Sequence, residues 1–301
     1  GLLALGFVML GKGADWFVEG AAGIAMRFGI PQLVIGLTIV AMGTSAPEAA
    51  VSIAAAVKGN ADITIGNIVG SNILNILVIL GLAASIVPIA VARSTVRIEI
   101  PFMIGVTALL FYQGRDGSIS LADGGVLMVA FAVYMMYLYT MAMKSNVDSD
   151  LEEPGLPLGR CLLGAVGGLA LIIAGSNVTV GAATSIATYA GLSERFIGLT
   201  IVALGTSLPE LFTSVAAARR GNADIAIGNI VGSNIFNILF VVGLSALIID
   251  IPFASAFNFD TYVALGAAVL LWLCVLRTQR LQRWAGALML VCYAAYLGYI
   301  L

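Results

Sequence analysis

Two glutamates lie in the middle of strongly apolar stretches, where a charged side chain is hardest to accommodate. Glu48 follows the run GLTIVAMGTSAP and Glu210 follows GLTIVALGTSLP. A charged residue at the centre of a bilayer costs about 2.5–3.5 kcal/mol on insertion scales. Neither stretch has a lysine or arginine in its interior to compensate for that cost. We therefore expect the partner of these carboxylates to be a bound cation or a proton.

Each glutamate ends a GTSxPE motif whose proline disturbs the helix. Pro47 and Pro209 lack a backbone donor and clash with the carbonyl four residues earlier, which is expected to free carbonyls at 41–43 and 203–205. Freed carbonyls inside a membrane are tolerated where they line a cavity or bind an ion. Spacings of three, four and seven residues predict one helical face in each copy. The residues on these faces are Ala41, Thr44, Ser45 and Glu48, and Ala203, Thr206, Ser207 and Glu210. Simple packing at a hinge is the alternative.

The segment GNADIxIGNIVGSNIxNI follows each motif and adds neutral oxygen ligands. Spacing of four residues lets two pairs face the same site: Ser71 with Asn75, and Ser233 with Asn237. Carboxylate, amide, hydroxyl and carbonyl oxygens suit Ca²⁺ or Na⁺. Two carboxylates neutralise one divalent cation or two monovalent cations. For the neighbouring Asn72 and Asn234, a plain contact between helices is an equal alternative.

One competing interpretation pairs a glutamate with Lys12, the single basic residue inside an apolar stretch. Lys12 has no counterpart in the second copy, where Ala174 stands, whereas both glutamates are present. We therefore favour a bound cation, and expect Lys12 to pair with Asp15 or Glu19 on its own helix.

The two motif regions are copies of one another. Residues 36–82 and 198–244 align without a gap at an offset of 162, and 34 of the 47 positions are identical. Chance does not give this agreement, and Pro, Glu, Asn and Thr all fall in register. The chain therefore contains an internal duplication.

The composition indicates a membrane protein. Of the 301 residues, 60% are hydrophobic and only 10% are charged, against about one quarter in soluble domains. The net charge of −2 provides no basic surface for nucleic acid, and the absence of histidine excludes a His-ligated zinc site and a Ser-His-Asp triad. We expect an all-α polytopic fold with about ten transmembrane helices in two inverted-topology repeats of five. The predicted spans are 1–26, 33–57, 62–87, 97–112, 120–143, 158–189, 195–218, 224–249, 258–276 and 284–301.

The connections between these spans predict the domain organisation and orientation. Residues 1–143 form the first five-helix repeat, 144–157 a polar cytoplasmic linker, and 158–301 the second repeat. Five spans separate equivalent points, so the second copy enters the membrane in the opposite direction, an arrangement typical of transporters. With the N-terminus outside, ten basic residues fall in inner loops and three in outer loops, as the positive-inside rule requires. The inner residues are Arg27, Arg93, Arg97, Lys144, Arg160, Arg219, Arg220, Arg277, Arg280 and Arg283, and the outer residues are Lys58, Arg115 and Arg195. We expect both termini outside and a location in the cell inner (plasma) membrane.

The paired motifs resemble a known family. GTSAPE at 43–48, GTSLPE at 205–210 and GSNIxNI at 70–76 and 232–238 are similar to the alpha-repeats of the Ca²⁺/cation antiporter superfamily. The chain is most similar to the prokaryotic sodium/calcium exchanger branch, and GADWFVEGA at 13–21 agrees with this. The resemblance implies alternating access of a central site, with the first and sixth helices sliding against the rest.

The resemblance also implies which residues bind ions. Ca²⁺ would be held by Glu48 and Glu210 with the carbonyls of Thr44 and Thr206. Na⁺ would use these residues together with Ser45, Ser207, Ser71, Ser233 and the carbonyls of Ala41 and Ala203, and Asn75 and Asn237 would border the centre. Several family members carry Asp at the position of Asn237, and K⁺-dependent members use an acidic residue there, so Asn argues against K⁺ co-transport.

The main functional hypothesis is a secondary antiporter that exchanges Na⁺ for Ca²⁺. H⁺/Ca²⁺ exchange on the same fold and a passive cation channel are the alternatives. We expect no enzyme activity and no cofactor, with Ca²⁺, Na⁺ and the lipid bilayer as the partners. The sequence leaves the oligomeric state open.

Overall fold

The computed structural model describes residues 1–59, 61–145, 156–191 and 203–300, and these residues are mainly helical. The helices are α1 Leu2–Arg27, α2 Gln32–Thr44, α3 Ala46–Val57, α4 Ile63–Ile86, α5 Thr95–Asp116, α6 Leu121–Ser145, α7 Leu158–Tyr189, α8 Ala203–Thr206, α9 Leu208–Arg219, α10 Ala223–Ile248, α11 Phe257–Leu276 and α12 Arg283–Ile300. The two-residue strands are β1 Ile89–Ala90, β2 Ser118–Ile119, β3 Ile251–Pro252 and β4 Arg280–Leu281.

The helices confirm an integral membrane protein. Seven of those described are long and apolar enough to cross a bilayer, and the bent pair α2 and α3 brings the number to eight. The seven are α4, α5, α6, α7, α10, α11 and α12. The predicted span bounds agree with helix bounds to within a few residues wherever both are described. Residues 146–155 of the predicted linker, and 192–202 at the start of the predicted seventh span, lie outside the described residues.

Helices α4 and α10 form the centre of the molecule. Buried residues make up 78% and 83% of their most apolar windows, against 17% for α6 and α12. A helix that is apolar all round is stable only where protein or lipid surrounds it. Helices α4 and α10 are therefore enclosed by protein, whereas α6 and α12 form part of the periphery. The repeated asparagines of the sequence lie on these two enclosed helices.

The short strands tie the two copies together in a reciprocal way. Ile89 of β1 pairs with Leu281 of β4, and Ile119 of β2 pairs with Ile251 of β3. Leu281 lies 162 residues after Ile119, and Ile251 lies 162 residues after Ile89. The second pairing is therefore the first with the copies exchanged, which is the signature of an approximate two-fold relationship.

Glycines let α1 and α7 cross at close range. A Cβ on Gly6 would lie 3.1 Å from the carbonyl oxygen of Gly175, and a Cβ on Gly168 would lie 2.7 Å from that of Gly13. Gly168 and Gly175 follow Gly6 and Gly13 by 162 residues, so these contacts are reciprocal as well. Small residues at a helix crossing allow backbone-to-backbone packing inside a membrane. Any side chain at these four positions would push the two helices apart.

An ion pair joins α1 to the end of α9. Arg220 contacts Asp15 and Glu19, each with an N–O distance of 3.2 Å. The expected pairing of Lys12 with Asp15 or Glu19 is not observed among the described residues, where Arg220 takes both acids. The arginine that replaces it lies 205 and 201 residues away in sequence, a separation at which helical spacing gives no guidance.

Candidate functional site

The proline motifs place both glutamates at the start of a new helix. The predicted kink is confirmed: α2 ends at Thr44, α3 begins at Ala46, and their axes differ by 52°. The second copy is divided in the same way at Ser207, between α8 and α9. Glu48 and Glu210 therefore lie in the first turn of α3 and α9. The positive end of a helix dipole favours a carboxylate there.

The break also corrects two expectations. Ala41 and Thr44 belong to one helix and Glu48 to the next, so the predicted single face is not one continuous helical face. The Ala41 carbonyl is not freed by the proline, because it accepts the backbone N–H of Ser45 at 3.0 Å. It also accepts the hydroxyls of Thr44 and Ser233, each at 3.3 Å. The Ala41 carbonyl is thus a common acceptor for polar groups of both copies at the break.

Each glutamate is held by the serine of the other copy. Ser45 donates its hydroxyl to Oε1 of Glu210 at 2.8 Å, and Ser207 donates to Oε1 of Glu48 at 3.2 Å. Both carboxylates are 1% exposed. The two GTSxPE motifs therefore meet at one point in the interior. We refer to Ser45, Glu48, Ser207 and Glu210 as the central cluster.

Asparagines of α4 and α10 form a second reciprocal set. Asn72 and Asn234 each donate to the backbone carbonyl of the other at 3.2 Å. Asn75 donates to Oδ1 of Asn234 at 2.9 Å, and Asn237 donates to Oδ1 of Asn72 at 3.1 Å. For Asn72 and Asn234, the contact between helices is thus confirmed. Both α4 and α10 widen into a π-helical turn, over Asn75–Leu80 and Asn237–Val242, a feature that is frequent at functional sites.

Four buried oxygen atoms in this region lack a hydrogen-bond donor among the described residues. They are Oε2 of Glu48, Oε2 of Glu210, Oδ1 of Asn75 and Oδ1 of Asn237. Buried polar atoms are nearly always paired in folded proteins. All four are acceptors that carry full or partial negative charge, so the group that they would attract is positive.

Protein cations do not supply that charge. The ion pairs of the described residues are those of Arg220, which lies away from the central cluster. Pairing of Glu48 or Glu210 with Lys12 is therefore not observed. The described residues also contain no cluster of three or more Asp, Glu, Cys or His side chains. A cation at this place would depend on two carboxylates and on neutral oxygens.

Two further asparagines, Asn67 and Asn229, lie one turn before Ser71 and Ser233 on or near the same helical face and contact the helices that carry the glutamates, although they were not among the predicted ligands. Asn229 donates to Ser214 at 2.9 Å and to the backbone carbonyl of Glu210 at 3.4 Å, and it accepts the hydroxyl of Thr44 at 2.9 Å. Asn67 donates to Ser52 at 2.9 Å and to the carbonyl of Glu48 at 3.3 Å. The sequence already contained a pattern that points to these contacts. Ser52 and Ser214 each stand four residues after a glutamate, and both serines and both asparagines recur at the offset of 162.

The remaining predicted residues are distributed around this centre. Ser233 is fully buried and contacts the Ala41 carbonyl, and Ser71 is buried one turn before Asn75 on α4. Thr206 ends α8 next to Ser207, and α8 begins at Ala203, whose side chain is outside the described set. The fold therefore collects the described members of the predicted set around the contact between the two motifs.

Comparison with known proteins agrees with this geometry. The model of the sodium/calcium exchanger protein family matches residues 1–140 and 161–301. The chain belongs to this family. The sodium/calcium exchanger MaX1 of Methanosarcina acetivorans is 33% identical over 98% of this chain and 96% of its own length. The inner membrane protein YrbG of Escherichia coli (strain K12) is 41% identical over 82% of this chain and 79% of its own.

A solved structure shows that the similarity extends to the fold. The sodium-calcium exchanger NCX_Mj superimposes with a TM-score of 0.87 and 34% identity, covering 100% of this chain and 98% of that one. The family resemblance predicted from the repeated motifs is confirmed. The relatives named as exchangers are transporters and not enzymes.

Proposed function

We propose that this protein exchanges Na⁺ for Ca²⁺ across the membrane by alternating access of one central site. Ca²⁺ binds to the carboxylates of Glu48 and Glu210 and to the carbonyls of Thr44 and Thr206. Na⁺ binds with the participation of Ser45, Ser207, Ser71, Ser233 and the carbonyls of Ala41 and Ala203. Asn75 and Asn237 border the site.

The observation that carries the proposal is the set of four unpartnered acceptors. Oε2 of each glutamate and Oδ1 of Asn75 and Asn237 are buried without a donor among the described residues. Leaving a buried polar group unsatisfied costs about 1–3 kcal/mol, and more if the group is charged. Ca²⁺ takes six to eight oxygen ligands, which this environment can supply.

Charge balance explains why transport would be an exchange. Two ionised glutamates carry two negative charges, which one Ca²⁺ or two Na⁺ neutralise. With no ion bound, two like charges would face each other in a medium of low dielectric constant, which is strongly unfavourable. The empty site therefore resists crossing the membrane, and one kind of cation must replace the other.

Reciprocal contacts support a further proposal, that the chain consists of two inverted five-helix halves with ten transmembrane helices. Ser45–Glu210 and Ser207–Glu48 exchange roles between the copies, as do the strand pairs and the glycines of α1 and α7. Residues 1–143 and 158–301 are the halves, and 144–157 connect them. Inverted repeats around a midplane site are an established transporter architecture.

The distribution of basic residues supports an orientation within this proposal. The first helix enters from the outside and both ends of the chain lie outside, in the inner (plasma) membrane. Arg219 and Arg220 then flank the cytoplasmic end of α9, whereas Val57 and Lys58 stand at the equivalent outer position.

The first experiment is uptake of ⁴⁵Ca²⁺ into proteoliposomes that contain the purified protein. Vesicles loaded with Na⁺ are diluted into Na⁺-free buffer at equal pH on both sides. We expect uptake that requires the outward Na⁺ gradient and disappears in Glu210→Gln. Asp260→Asn, which changes an acid outside the central cluster, is the matched control and should retain uptake.

The same vesicles separate the two alternatives. Uptake that needs an acidic lumen and ignores Na⁺ would assign H⁺/Ca²⁺ exchange to the same site. Ca²⁺ flux with no counter-ion requirement, at rates far above transporter turnover, would assign a channel. Either result would overturn Na⁺/Ca²⁺ exchange, and retained activity in both Glu48→Gln and Glu210→Gln would overturn the site.

A further inference from the structure

A third glutamate is buried far from the central cluster in sequence. Glu99 lies at the end of a π-helical turn, Thr95–Glu99, that opens α5, and its exposed fraction is 0%. The residues just before it, Arg93 and Arg97, are exposed. Glu99 therefore lies close to one end of the helix but points into the interior.

The polar side chains around Glu99 are hydroxyls: those of Ser94 and Thr95 at the start of α5, and those of Tyr134 and Tyr137 on α6. Tyr137 of α6 donates its hydroxyl to Oε1 of Glu99. Oε2 of Glu99, the hydroxyl of Tyr134 and the hydroxyl of Thr95 are buried and have no partner among the described residues. Thr95 precedes Glu99 by one helical turn. Tyr134 precedes Tyr137 by one turn and stacks on Phe102 at 5.3 Å, so both helices turn these groups toward one another.

No basic side chain forms an ion pair with Glu99 within the described residues. The charged groups of the adjoining elements are Arg93, Arg97, Arg115 and Asp116 on or beside α5, Asp123 and Lys144 on α6, Asp224 on α10, and Asp260 and the following Arg277 on α11. Arg97, Lys144 and Arg277 are exposed. The contact that α11 makes here is neutral, since Trp272 donates to the carbonyl of Val96 at 2.9 Å.

We propose that Glu99 is a proton-binding site, in which the carboxyl group is uncharged and holds a proton on Oε2. Burial of an isolated carboxylate is far more costly than burial of the neutral acid. A proton on Oε2 supplies the missing donor, for which the hydroxyl oxygens of Thr95 and Tyr134 are candidate acceptors. It also removes the charge of a fully buried side chain between α5 and α6.

The ligand is a proton and not a metal ion because the donor set is too small and too weakly charged. One carboxylate and four hydroxyls give at most six oxygen atoms with one negative charge, and Tyr137 already uses Oε1. Ca²⁺ requires six to eight oxygens, usually including several carboxylates. The central cluster, by contrast, offers two carboxylates and two serine hydroxyls.

The second copy provides an internal comparison. Tyr296, which follows Tyr134 by 162 residues, donates to Oδ1 of Asp260 at 2.8 Å. This acid and its tyrosine are only half-buried, and no atom of Asp260 is both buried and unpartnered. The two contacts are not equivalent in the repeat, because Tyr137 and not Tyr134 donates to Glu99, and the counterparts of Asp260 and Glu99 are Ile98 and Thr261. A tyrosine-to-acid contact thus occurs once at a half-buried acid and once at a fully buried one. Full burial is the property that distinguishes Glu99.

Infrared difference spectroscopy of the full-length protein in detergent tests this proposal directly. A protonated carboxyl group and a carboxylate absorb at separate frequencies. Subtracting the spectrum of Glu99→Gln from that of the wild type at neutral pH should show the loss of one protonated-carboxyl band and no carboxylate band. The same subtraction with Asp260→Asn, the matched control, should show the loss of a carboxylate.

Two results would overturn the proposal. One is the loss of a carboxylate band in Glu99→Gln. The other is a Glu99 band that changes from acid to carboxylate when Na⁺, K⁺ or Ca²⁺ is added, which would make Glu99 a cation site. Tyr137→Phe keeps the acid and removes its hydrogen bond, so the band should shift in frequency without loss. This variant keeps the test decisive if Glu99→Gln fails to fold. The readout does not depend on transport and is independent of the proposed exchange.

Discussion

The hydroxyl of Ser45 lies 2.8 Å from Oε1 of Glu210, although the two residues are 165 positions apart. Each belongs to a GTSxPE motif in a different copy of the repeat. The contact means that neither copy contains a complete site, since each carboxylate is oriented by the hydroxyl of the other copy. A change in one half is therefore expected to alter the surroundings of the glutamate in the other half.

Glu48→Gln and Glu210→Gln should each abolish Ca²⁺ transport. Each substitution keeps the side-chain shape and the serine contact but removes one of two negative charges. A loss of about 3 kcal/mol of binding energy corresponds to a decrease of roughly 100-fold in affinity. Ca²⁺ binding by the purified variants measures the loss of affinity, and ⁴⁵Ca²⁺ uptake measures the loss of transport. The melting temperatures of the variants in detergent should be close to that of the wild type. Variants that lose transport because they no longer fold would contradict the assignment.

Much of this candidate site could be predicted from the sequence, because each of its main residues is one that membrane segments usually exclude. A charged residue at midspan, a proline within an apolar run and serines beside it each require a reason, and the duplication repeats all three. Glu48, Glu210 and the kink could therefore be located from the residues alone. The agreement of α5 and α11 with the predicted spans has a simpler basis in the length of the apolar runs.

Contacts between distant elements could not be predicted in this way. Three such contacts depend on how the helices are placed in three dimensions. They are the ion pair of Arg220 with Asp15, the hydrogen bond from Thr44 to Asn229, and the hydrogen bond from Tyr137 to the buried Glu99. Local spacing suggested Lys12 as the partner of Asp15, and tertiary packing supplied another cation. The carbonyl of Ala41 was likewise expected to be free, but the first residue after the helix bonds to it.

Asn237→Asp should make transport dependent on pH. Asn237 donates to Oδ1 of Asn72 at 3.1 Å, and an ionised aspartate has no donor for that bond. The protonated form can keep it, so the variant should resemble the wild type at acidic pH and diverge as pH rises. The divergence should alter the Na⁺ and K⁺ dependence of ⁴⁵Ca²⁺ uptake, because a third negative charge then faces the cation.

Asn75→Asp is the matched variant for this prediction, because Asn75 makes the equivalent contact with Asn234 at 2.9 Å. Comparable effects would indicate that both asparagines border the ions. If Asn237→Asp transports with unchanged selectivity and an unchanged pH profile, the position lies outside the binding site.

Asn229→Ala should be more damaging than Asn67→Ala. Asn229 is fully buried and makes three side-chain contacts, with Ser214, Thr44 and the Glu210 carbonyl, whereas Asn67 is half-buried. Leaving buried partners unsatisfied costs about 1–3 kcal/mol. We expect a lower melting temperature and weaker Ca²⁺ binding for Asn229→Ala, with smaller changes for Asn67→Ala. Equal effects of the two substitutions would show that the extra contact with Thr44 contributes little.

Gly168→Ala should weaken the crossing of α1 and α7. A Cβ at Gly168 would lie 2.4 Å from the backbone nitrogen of Phe17, and backbone atoms cannot move aside locally. Overpacking of this kind costs about 1–3 kcal/mol. At neighbouring Gly167, no atom lies within 4 Å of the added Cβ, so Gly167→Ala should be neutral or stabilising by up to about 1 kcal/mol. Melting in detergent separates the two, and equal melting temperatures would show that the helices adjust at no cost.

Arg220→Gln should destabilise the contact between α1 and α9 slightly and in a salt-dependent manner. Arg220 joins Asp15 and Glu19 at 3.2 Å, and its side chain is 35% exposed. Exposed ion pairs contribute about 0.2–1 kcal/mol each. At about 1 M salt the screening length falls to about 3 Å, so the difference in melting temperature between variant and wild type should largely vanish.

Lys58→Gln is the matched control for Arg220→Gln, because Lys58 stands 162 residues earlier. The residues equivalent to Asp15 and Glu19 in the second copy are Asn177 and Gly181, so Lys58 faces no such acids. Its substitution should leave both stability and transport unchanged. The ion pair is present in one copy only, and it therefore favours the arrangement in which α1 contacts α9. If that arrangement is one of two that alternate during transport, Arg220→Gln alone should change the rate of ⁴⁵Ca²⁺ uptake at low salt. Identical rates in Arg220→Gln, Lys58→Gln and the wild type would show that the pair does not bias the cycle.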